Sequence, residues 1–165
     1  MVFFSPTRGR LTLEEVAREV LEYAAGDPAQ AYTLMVGSDS LVRDATCFVT
    51  AIIIHRVGKG ARYFYTRKRA RRMPSLQQRI LYEASLSLAL ANELVEELAR
   101  QGRTDLAVEI HLDVGTGGGT REMVKEVIGM VVGSGFAARI KPDACGASKV
   151  ADRHTRGATG KRPAG

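Results

Sequence analysis

The segment from Ser75 to Arg100 constrains the fold most, because it contains neither Gly nor Pro and is dense in Leu, Ala, Glu and Gln. These are among the strongest helix formers, so the pattern predicts one long helix that must pack a face against another layer. Runs of β-branched and aromatic residues precede it, separated by short turns. They predict three antiparallel strands: Tyr32 to Val36, Cys47 to Arg56, and Arg62 to Thr66.

After the long helix, strand and helix patterns alternate. Period-two alternation over Ala107 to Val114 predicts a fourth strand, and apolar residues at helical spacing over Met123 to Val132 predict a second covering helix. A short strand, Phe136 to Ile140, and a helix from Ala147 to about His154 follow. The order predicts an α/β fold with a mixed five-stranded sheet, an antiparallel meander plus parallel strands, covered by helices.

The N-terminal region predicts an additional helix. Thr12 and Glu15 have the spacing of a capping box, in which each side chain accepts a hydrogen bond from the other residue's backbone, so a helix should run from Leu13 to Ala25. We therefore divide the 165 residues into a helical extension (1–30), one globular domain (31–155) and a flexible basic tail (156–165).

No apolar run approaches the roughly 18 residues that span a bilayer, so the sequence predicts no membrane association and a cytoplasmic location. Cys47 and Cys145 lack a partner at metal-ligand spacing, and we interpret both as reduced.

Positive charge is concentrated in one segment. Of the 24 Lys and Arg residues, eight lie between Arg56 and Arg72, where there is no acid, so the rest of the chain has 16 bases against 18 acids. A local basic patch of this kind is typical of a surface that binds phosphates, and the alternative is a solvated basic loop. We predict phosphate contacts from Arg67, Lys68, Arg69, Arg71 and Arg72.

Three carboxylates occupy positions where carboxylates are uncommon. Glu83 shares a helix face with Leu90 and Leu94, so it needs either an Arg partner or a metal ion. We expect it to be buried without a Lys or Arg partner. Asp39 and Asp113 each end a predicted strand, where ligand sites often form, although each alone could be a turn residue.

Two other signals are weaker. The glycines at 115 and 117–119 could let a backbone approach a phosphate at the start of the next helix. His55, His111 and His154 show no metal-ligand spacing, and we interpret the first two as ordinary strand residues.

With its elements in this order, the chain resembles proteins of the ribonuclease H-like fold. That resemblance places Asp39, Glu83, Asp113 and Asp152 at the four acidic positions of the fold. The chain is also similar to the YkuK-type family of bacterial proteins within that superfamily, over roughly Tyr32 to Thr155. The similarity is carried by three motifs: Val36-Gly37-Ser38-Asp39-Ser40, His111-Leu112-Asp113-Val114-Gly115, and Lys141-Pro142 through Ala147-Ser148 to Ala151-Asp152.

The resemblance implies that the four acids bind two Mg²⁺ or Mn²⁺ ions and hydrolyse phosphodiester bonds of RNA, DNA or a hybrid. Lys141 and Lys149 then join the residues expected to contact nucleic acid. One alternative is a non-catalytic nucleic-acid-binding module on the same fold. A less favoured one is an ATP- or phosphate-binding protein of the actin-like type, which would need a second such domain.

The chain departs from the minimal fold in two ways. It has an extra N-terminal helix, and no loop matches the mobile catalytic histidine of ribonuclease H, since His154 is expected on the same helix as Asp152. The oligomeric state is left open by the sequence.

Overall fold

A computed structural model describes residues 1–114, 121–141 and 147–159. These residues form seven strands and four helices in the order β1 (Phe3–Ser5), β2 (Gly9–Leu11), α1 (Leu13–Ala25), β3 (Tyr32–Val42), β4 (Ala45–Arg56), β5 (Ala61–Arg71), α2 (Leu76–Arg100), β6 (Val108–His111), α3 (Arg121–Gly133), β7 (Ala137–Arg139) and α4 (Ala147–Thr159).

One mixed sheet contains all seven strands, in the order β2-β1-β5-β4-β3-β6-β7. The three central strands pair antiparallel, whereas β6 runs parallel to β3 and β7 parallel to β6. The predicted α/β class and the five predicted strands are therefore confirmed. Since β3 and β6 are parallel neighbours and Gly37 pairs with His111, the carboxyl end of β6 lies beside the middle of β3.

The sequence analysis missed the two N-terminal strands. Phe3 on β1 is fully buried, and Phe4 pairs with Tyr65 at the outer edge of β5. A turn with Gly9 at a φ of 71° joins the two strands, a backbone conformation that favours glycine. Strands of three residues are too short to show a period-two pattern, which is why the prediction began with the helix.

Helices cover both faces of the sheet. One face packs against α1, α2 and α3 through the main core, which includes Leu34, Ile52, Leu94 and Val127. The opposite face packs against α4, where Ala147 and Ala151 contact strand residues such as Met35 and Val49. We call these surfaces the α2 face and the α4 face of the sheet.

Three predicted boundaries were wrong, each because strand pairing or helix packing extends further than the local pattern. Strand β3 continues to Val42, paired with β4 throughout, so Asp39 lies inside the strand and not at its end. The basic run was considered as a loop, but it forms the second half of β5, paired with β4 as far as Arg71. Helix α4 extends to Thr159, which leaves the predicted tail beyond that residue outside the described part of the chain.

Helix α1 begins and ends where predicted, with both hydrogen bonds of the Thr12–Glu15 capping box present. None of the helices in the described ranges is long and apolar enough to cross a bilayer.

Candidate functional site

The paired strands β3 and β6 bring two of the predicted acids together. Gly37 pairs with His111 in the parallel register, and Asp39 and Asp113 each follow two residues later. The Asp39 side chain lies on the α4 face, since it alternates with buried Ser38 on the α2 face. Asp113 lies just beyond the end of β6, and both aspartates influence the pKa of Glu83.

Glu83 reaches this position from α2. The side of α2 that packs against the sheet includes the buried residues Ile80, Ala84 and Ser87. Glu83 lies between them and is half-buried. Burial raises the pKa of Glu83 from 4.5 to about 8, with smaller contributions from the negative charges of Asp39 and Asp113. The Ser40 hydroxyl opposes this shift, as does Arg79 one turn earlier on α2. No ion pair among the described residues includes Glu83, and the expectation that it lacks a Lys or Arg partner stays a prediction.

Asp39 meets the last helix on the other face of the sheet. The Thr155 hydroxyl lies 3.2 Å from Asp39 Oδ2 and 2.8 Å from the Asp152 carbonyl oxygen. Its one hydrogen can be donated to either oxygen. Burial raises the pKa of Asp39 from 3.8 to about 6, a backbone hydrogen bond from Ser40 opposes this, and the charges of Asp152 and Asp113 add to it. Thr155 is 1% exposed and was not predicted as a site residue.

Asp113 forms an ion pair with Lys141. Lys141 Nζ lies 2.7 Å from Asp113 Oδ1, and this contact is the main reason that the pKa of Lys141 is raised. The sequence analysis assigned Lys141 to nucleic-acid contact, whereas the structure places it on a candidate metal ligand. The two assignments are compatible, because the exposed ammonium group has three N–H donors and can contact Asp113 and a phosphate together.

A buried hydroxyl network lies behind the acids and was also missed. Ser38 Oγ is 2.8 Å from Thr50 Oγ1 and 2.7 Å from Ser87 Oγ, and all three residues are at most 5% exposed. The network joins β3, β4 and α2 one residue from Asp39 and one helical turn from Glu83. It thereby fixes the spacing of the two acids. A cavity of about 10 Å³, room for about one water, lies between the network and the acids and is lined by Ser38, Ile80, Glu83, Ser87, His111, Leu112, Asp113 and Val114.

The four acids therefore come from four elements and interact electrostatically, but they do not form a finished metal cage. Within the described ranges, no three His, Cys, Asp or Glu side chains are already arranged to hold an ion. The glycines at 115 and 117–119, predicted as a possible phosphate loop, lie outside the described residues, and so does Cys145. Cys47 is a free thiol.

His154 does not belong to this cluster. Its ring stacks on Tyr65 with centroids 3.8 Å apart, and its Nε2 lies 3.2 Å from the Tyr63 hydroxyl. It therefore contributes to docking α4 on the sheet, away from the side of the helix that carries Asp152 and Thr155.

The five basic residues of the predicted patch are all exposed on or just after β5. Arg67 lies over the Tyr65 ring at 5.2 Å, and Lys68 lies over the Tyr82 ring at 5.3 Å. Arg72 follows the strand, and its Nε donates a hydrogen bond to the Arg43 carbonyl oxygen. Lys149 is on α4, but its side chain lies outside the described part of the structure.

Comparison with known proteins agrees with this architecture. A family model described as Ribonuclease H-like matches residues 15–156. The chain belongs to the ribonuclease H-like family. It is also 32% identical over 168 residues to a Bacillus subtilis (strain 168) protein named "Uncharacterized protein YkuK", a match that covers 94% of this chain and 97% of that relative. No solved structure gives a significant match.

The matched region includes all the elements that carry the four acids, and it begins within α1. The predicted family resemblance is thus confirmed. The assignment of Asp39, Glu83, Asp113 and Asp152 as catalytic metal ligands stays a prediction, because neither comparison describes a site.

Proposed function

We propose that the protein is a divalent-metal-dependent hydrolase of phosphodiester bonds in nucleic acid. The observation that carries this proposal is the meeting of Asp39 and Glu83 with Asp113 and Asp152 at the carboxyl end of β6, beside the middle of β3. Both Asp39 and Glu83 are half-buried, and no ion pair among the described residues includes either. Membership in the ribonuclease H-like family supports nucleic acid as the partner.

The donor set suits a hard divalent cation. Removing a carboxylate from water without a cationic partner is costly, so two such groups at one place destabilise the fold unless a cation binds there. Carboxylate oxygens favour Mg²⁺ or Mn²⁺, whereas zinc sites usually contain Cys or His ligands. The Ser40 hydroxyl is also buried here without a hydrogen bond of good geometry to the described residues, and it offers a further oxygen.

Each residue then has a distinct part in the proposed chemistry. Asp39, Glu83, Asp113 and Asp152 would hold up to two ions, which supply an activated water and charge stabilisation for the leaving oxygen. Thr155 orients Asp39 through its hydroxyl, and Lys141 holds Asp113 in the absence of metal. Exposed arginines in the second half of β5 would bind the phosphates that flank the cleaved bond.

The test is cleavage of labelled single-stranded RNA, single-stranded DNA and an RNA/DNA hybrid with Mg²⁺ or Mn²⁺. We expect slow, metal-dependent cleavage by the wild type and none by Asp39→Asn. The matched control is Asp44→Asn, an exposed aspartate in the turn that follows the same strand, which should keep full activity. Cleavage that survives Asp39→Asn, or that needs no metal, would refute the proposal.

A second candidate is a nucleic-acid-binding protein without catalysis, and one observation favours it. Lys141 already neutralises Asp113 at 2.7 Å, so one of the four candidate ligands is occupied by a base. This candidate predicts that oligonucleotides bind equally well with and without Mn²⁺ and are never cleaved.

A further inference from the structure

The basic residues of β5 do not form one undivided patch. Side chains alternate between the two faces along a strand, so neighbours in sequence point to opposite sides. Tyr63 and Tyr65 pack with residues of the α4 face, and Arg67, Arg69 and Arg71 have the same parity. Lys68 has the opposite parity, and it lies over Tyr82 of α2.

Strand register places the first group beside the candidate site. Asp39 is paired with Val49, and Val49 with Arg67, so Asp39 and Arg67 lie on the same face two strands apart. At about 4.8 Å between strands, this separation is about 10 Å. On the α2 face, Lys68 is paired with Phe48 and Phe48 is paired with Ser40.

The edge of β5 is open beside Arg69 and Arg71. Strand β1 pairs with β5 at Tyr65, and the Thr66 hydroxyl donates a hydrogen bond to the Val2 carbonyl oxygen. Met1 lines a cavity together with Arg67 and Lys68, and beyond Lys68 no described strand covers the edge. Residues on one face of a strand repeat about every 7 Å, an interval close to that between successive phosphates of one nucleic-acid strand. A phosphate backbone can therefore follow β5 in contact with every second residue.

We propose that Arg67, Arg69 and Arg71, on the α4 face of β5, hold the phosphates of the strand that is cut, whereas Lys68 and Arg72 do not. This proposal rests on the function proposed above. It divides the basic patch into a row of three arginines that binds phosphates and two residues, Lys68 and Arg72, that do not. The face of the sheet makes the distinction: Arg67 lies over Tyr65 on the α4 face, whereas Lys68 lies over Tyr82 on the α2 face. The Arg72 Nε donates a hydrogen bond to the Arg43 carbonyl oxygen. The row binds one strand, whether or not a second strand is paired to it.

The test compares two double variants that remove the same charge from the same segment. In Arg67→Ser with Arg69→Ser, the logarithm of oligonucleotide affinity should depend less steeply on the logarithm of salt concentration. The slope should fall by about 1.4 for a single strand, at about 0.7 for each lost phosphate contact. Lys68→Ser with Arg72→Ser should keep the wild-type slope. Binding is measured by fluorescence anisotropy in EDTA, which prevents metal-dependent cleavage, with single-stranded and duplex oligonucleotides as separate arms.

The outcomes separate the two proposals. An equal fall in the salt slope of both double variants would show that the whole basic segment attracts the oligonucleotide without distinct contacts. That result would overturn the division into two groups, while nucleic-acid binding itself would stand. No binding by the wild type in any arm would refute nucleic acid as the partner and the arginine row with it. A fall in the slope of about 1.8 for the duplex, at about 0.9 for each lost phosphate contact, would correspond to the same two contacts and would support a row that contacts one strand.

A second measurement needs no arginine substitution. Cys47 on β4 is paired with Arg69 on β5, and the positive charges of Arg67 and Arg69 both act on the Cys47 thiol. In a Cys145→Ser background, a bound oligonucleotide should slow the alkylation of Cys47 severalfold if its backbone follows the α4 face. An unchanged rate at saturating oligonucleotide would place the strand elsewhere and overturn the proposal.

Discussion

Replacing Glu83 with Gln should stabilise the metal-free protein at neutral and alkaline pH. A carboxyl group whose pKa is higher in the native state keeps its proton there after the unfolded chain has lost its own. The free energy of unfolding therefore falls as pH rises between the two pKa values. For Glu83 this interval runs from 4.5 to about 8, because the carboxyl group is buried beside Asp39 and Asp113. Gln cannot ionise, so the variant should lose this pH dependence.

The size of the effect follows from the same interval. A tenfold change in a protonation equilibrium corresponds to 1.36 kcal/mol, so ionisation of Glu83 lowers stability by up to about 5 kcal/mol above pH 8. At pH 7 the ionisation of Glu83 lowers the stability of the wild type by about 3 kcal/mol. Glu83→Gln removes this loss, so for a chain of this length its melting temperature should be roughly 6 to 12 °C above that of the wild type. Relaxation of the carboxylate toward water in the native state would reduce these values.

The measurement is urea-induced unfolding in EDTA at a series of pH values from 5 to about 9. His111 and His154 complicate the wild-type curve, because burial lowers the pKa of each and makes stability rise with pH up to about 6.5. Both histidines are present in the variant, so the difference between variant and wild type isolates Glu83. Glu93→Gln, at an exposed position of the same helix, is the matched control and should change stability by less than about 0.5 kcal/mol.

Two results would refute this reasoning. One is a difference in stability between Glu83→Gln and the wild type that is the same at pH 8 as at pH 5. The other is a Glu83→Gln variant that is less stable than wild type at pH 8, as expected of a carboxylate that accepts charge-assisted hydrogen bonds. Mn²⁺ should also raise the melting temperature of the wild type more than that of the variant, because a ligand stabilises the native state in proportion to its affinity.

Two further predictions concern residues that contact the acids. Thr155→Val should lower the free energy of unfolding by about 1 to 3 kcal/mol, because it leaves buried acceptors on Asp39 and α4 without their donor. Thr155→Ser should restore most of that loss in urea titrations, and a Val variant as stable as wild type would contradict the assigned hydrogen bond. Lys141→Ala should strengthen Mn²⁺ binding severalfold in calorimetric titrations, because it frees Asp113 and removes a positive charge, while stability changes by less than about 1 kcal/mol. Weaker Mn²⁺ binding would show that Asp113 is not a ligand.

The sequence predicted the central architecture because its signals are strong and local. The absence of Gly and Pro from residues 76 to 100 identified α2, and the turn glycines Gly58 and Gly60, both with positive φ, identified the β4–β5 hairpin. The four acids were found through their order on these elements, together with the family resemblance. Their proximity could be expected once β3 and β6 were taken as neighbours.

The missed features depend on pairing between segments distant in sequence. The second half of β5 is polar on both faces, so no hydrophobic alternation marks it as a strand, and its pairing with β4 determines its structure. Ser38 and Ser87 are 49 residues apart, and nothing in either neighbourhood indicates that they share a hydrogen bond. Thr155 did have a signal, since it follows Asp152 by three residues and so lies on the same side of a helix.

The position of α4 explains how repelling carboxylates can stay together without metal. Asp152 faces Asp39 and raises its pKa both by its negative charge and through a side-chain hydrogen bond, so the contact becomes repulsive when both carboxyl groups are ionised. Apolar and aromatic contacts oppose that repulsion: Ala147 and Ala151 are fully buried against the strands, and His154 stacks on Tyr65. These contacts lie on a different side of the helix from Asp152, so they dock α4 without using its carboxylate and determine where that carboxylate is held. Substituting Ala151 by a larger residue should therefore displace the Asp152 carboxylate and weaken Mn²⁺ binding even though all four acids are present.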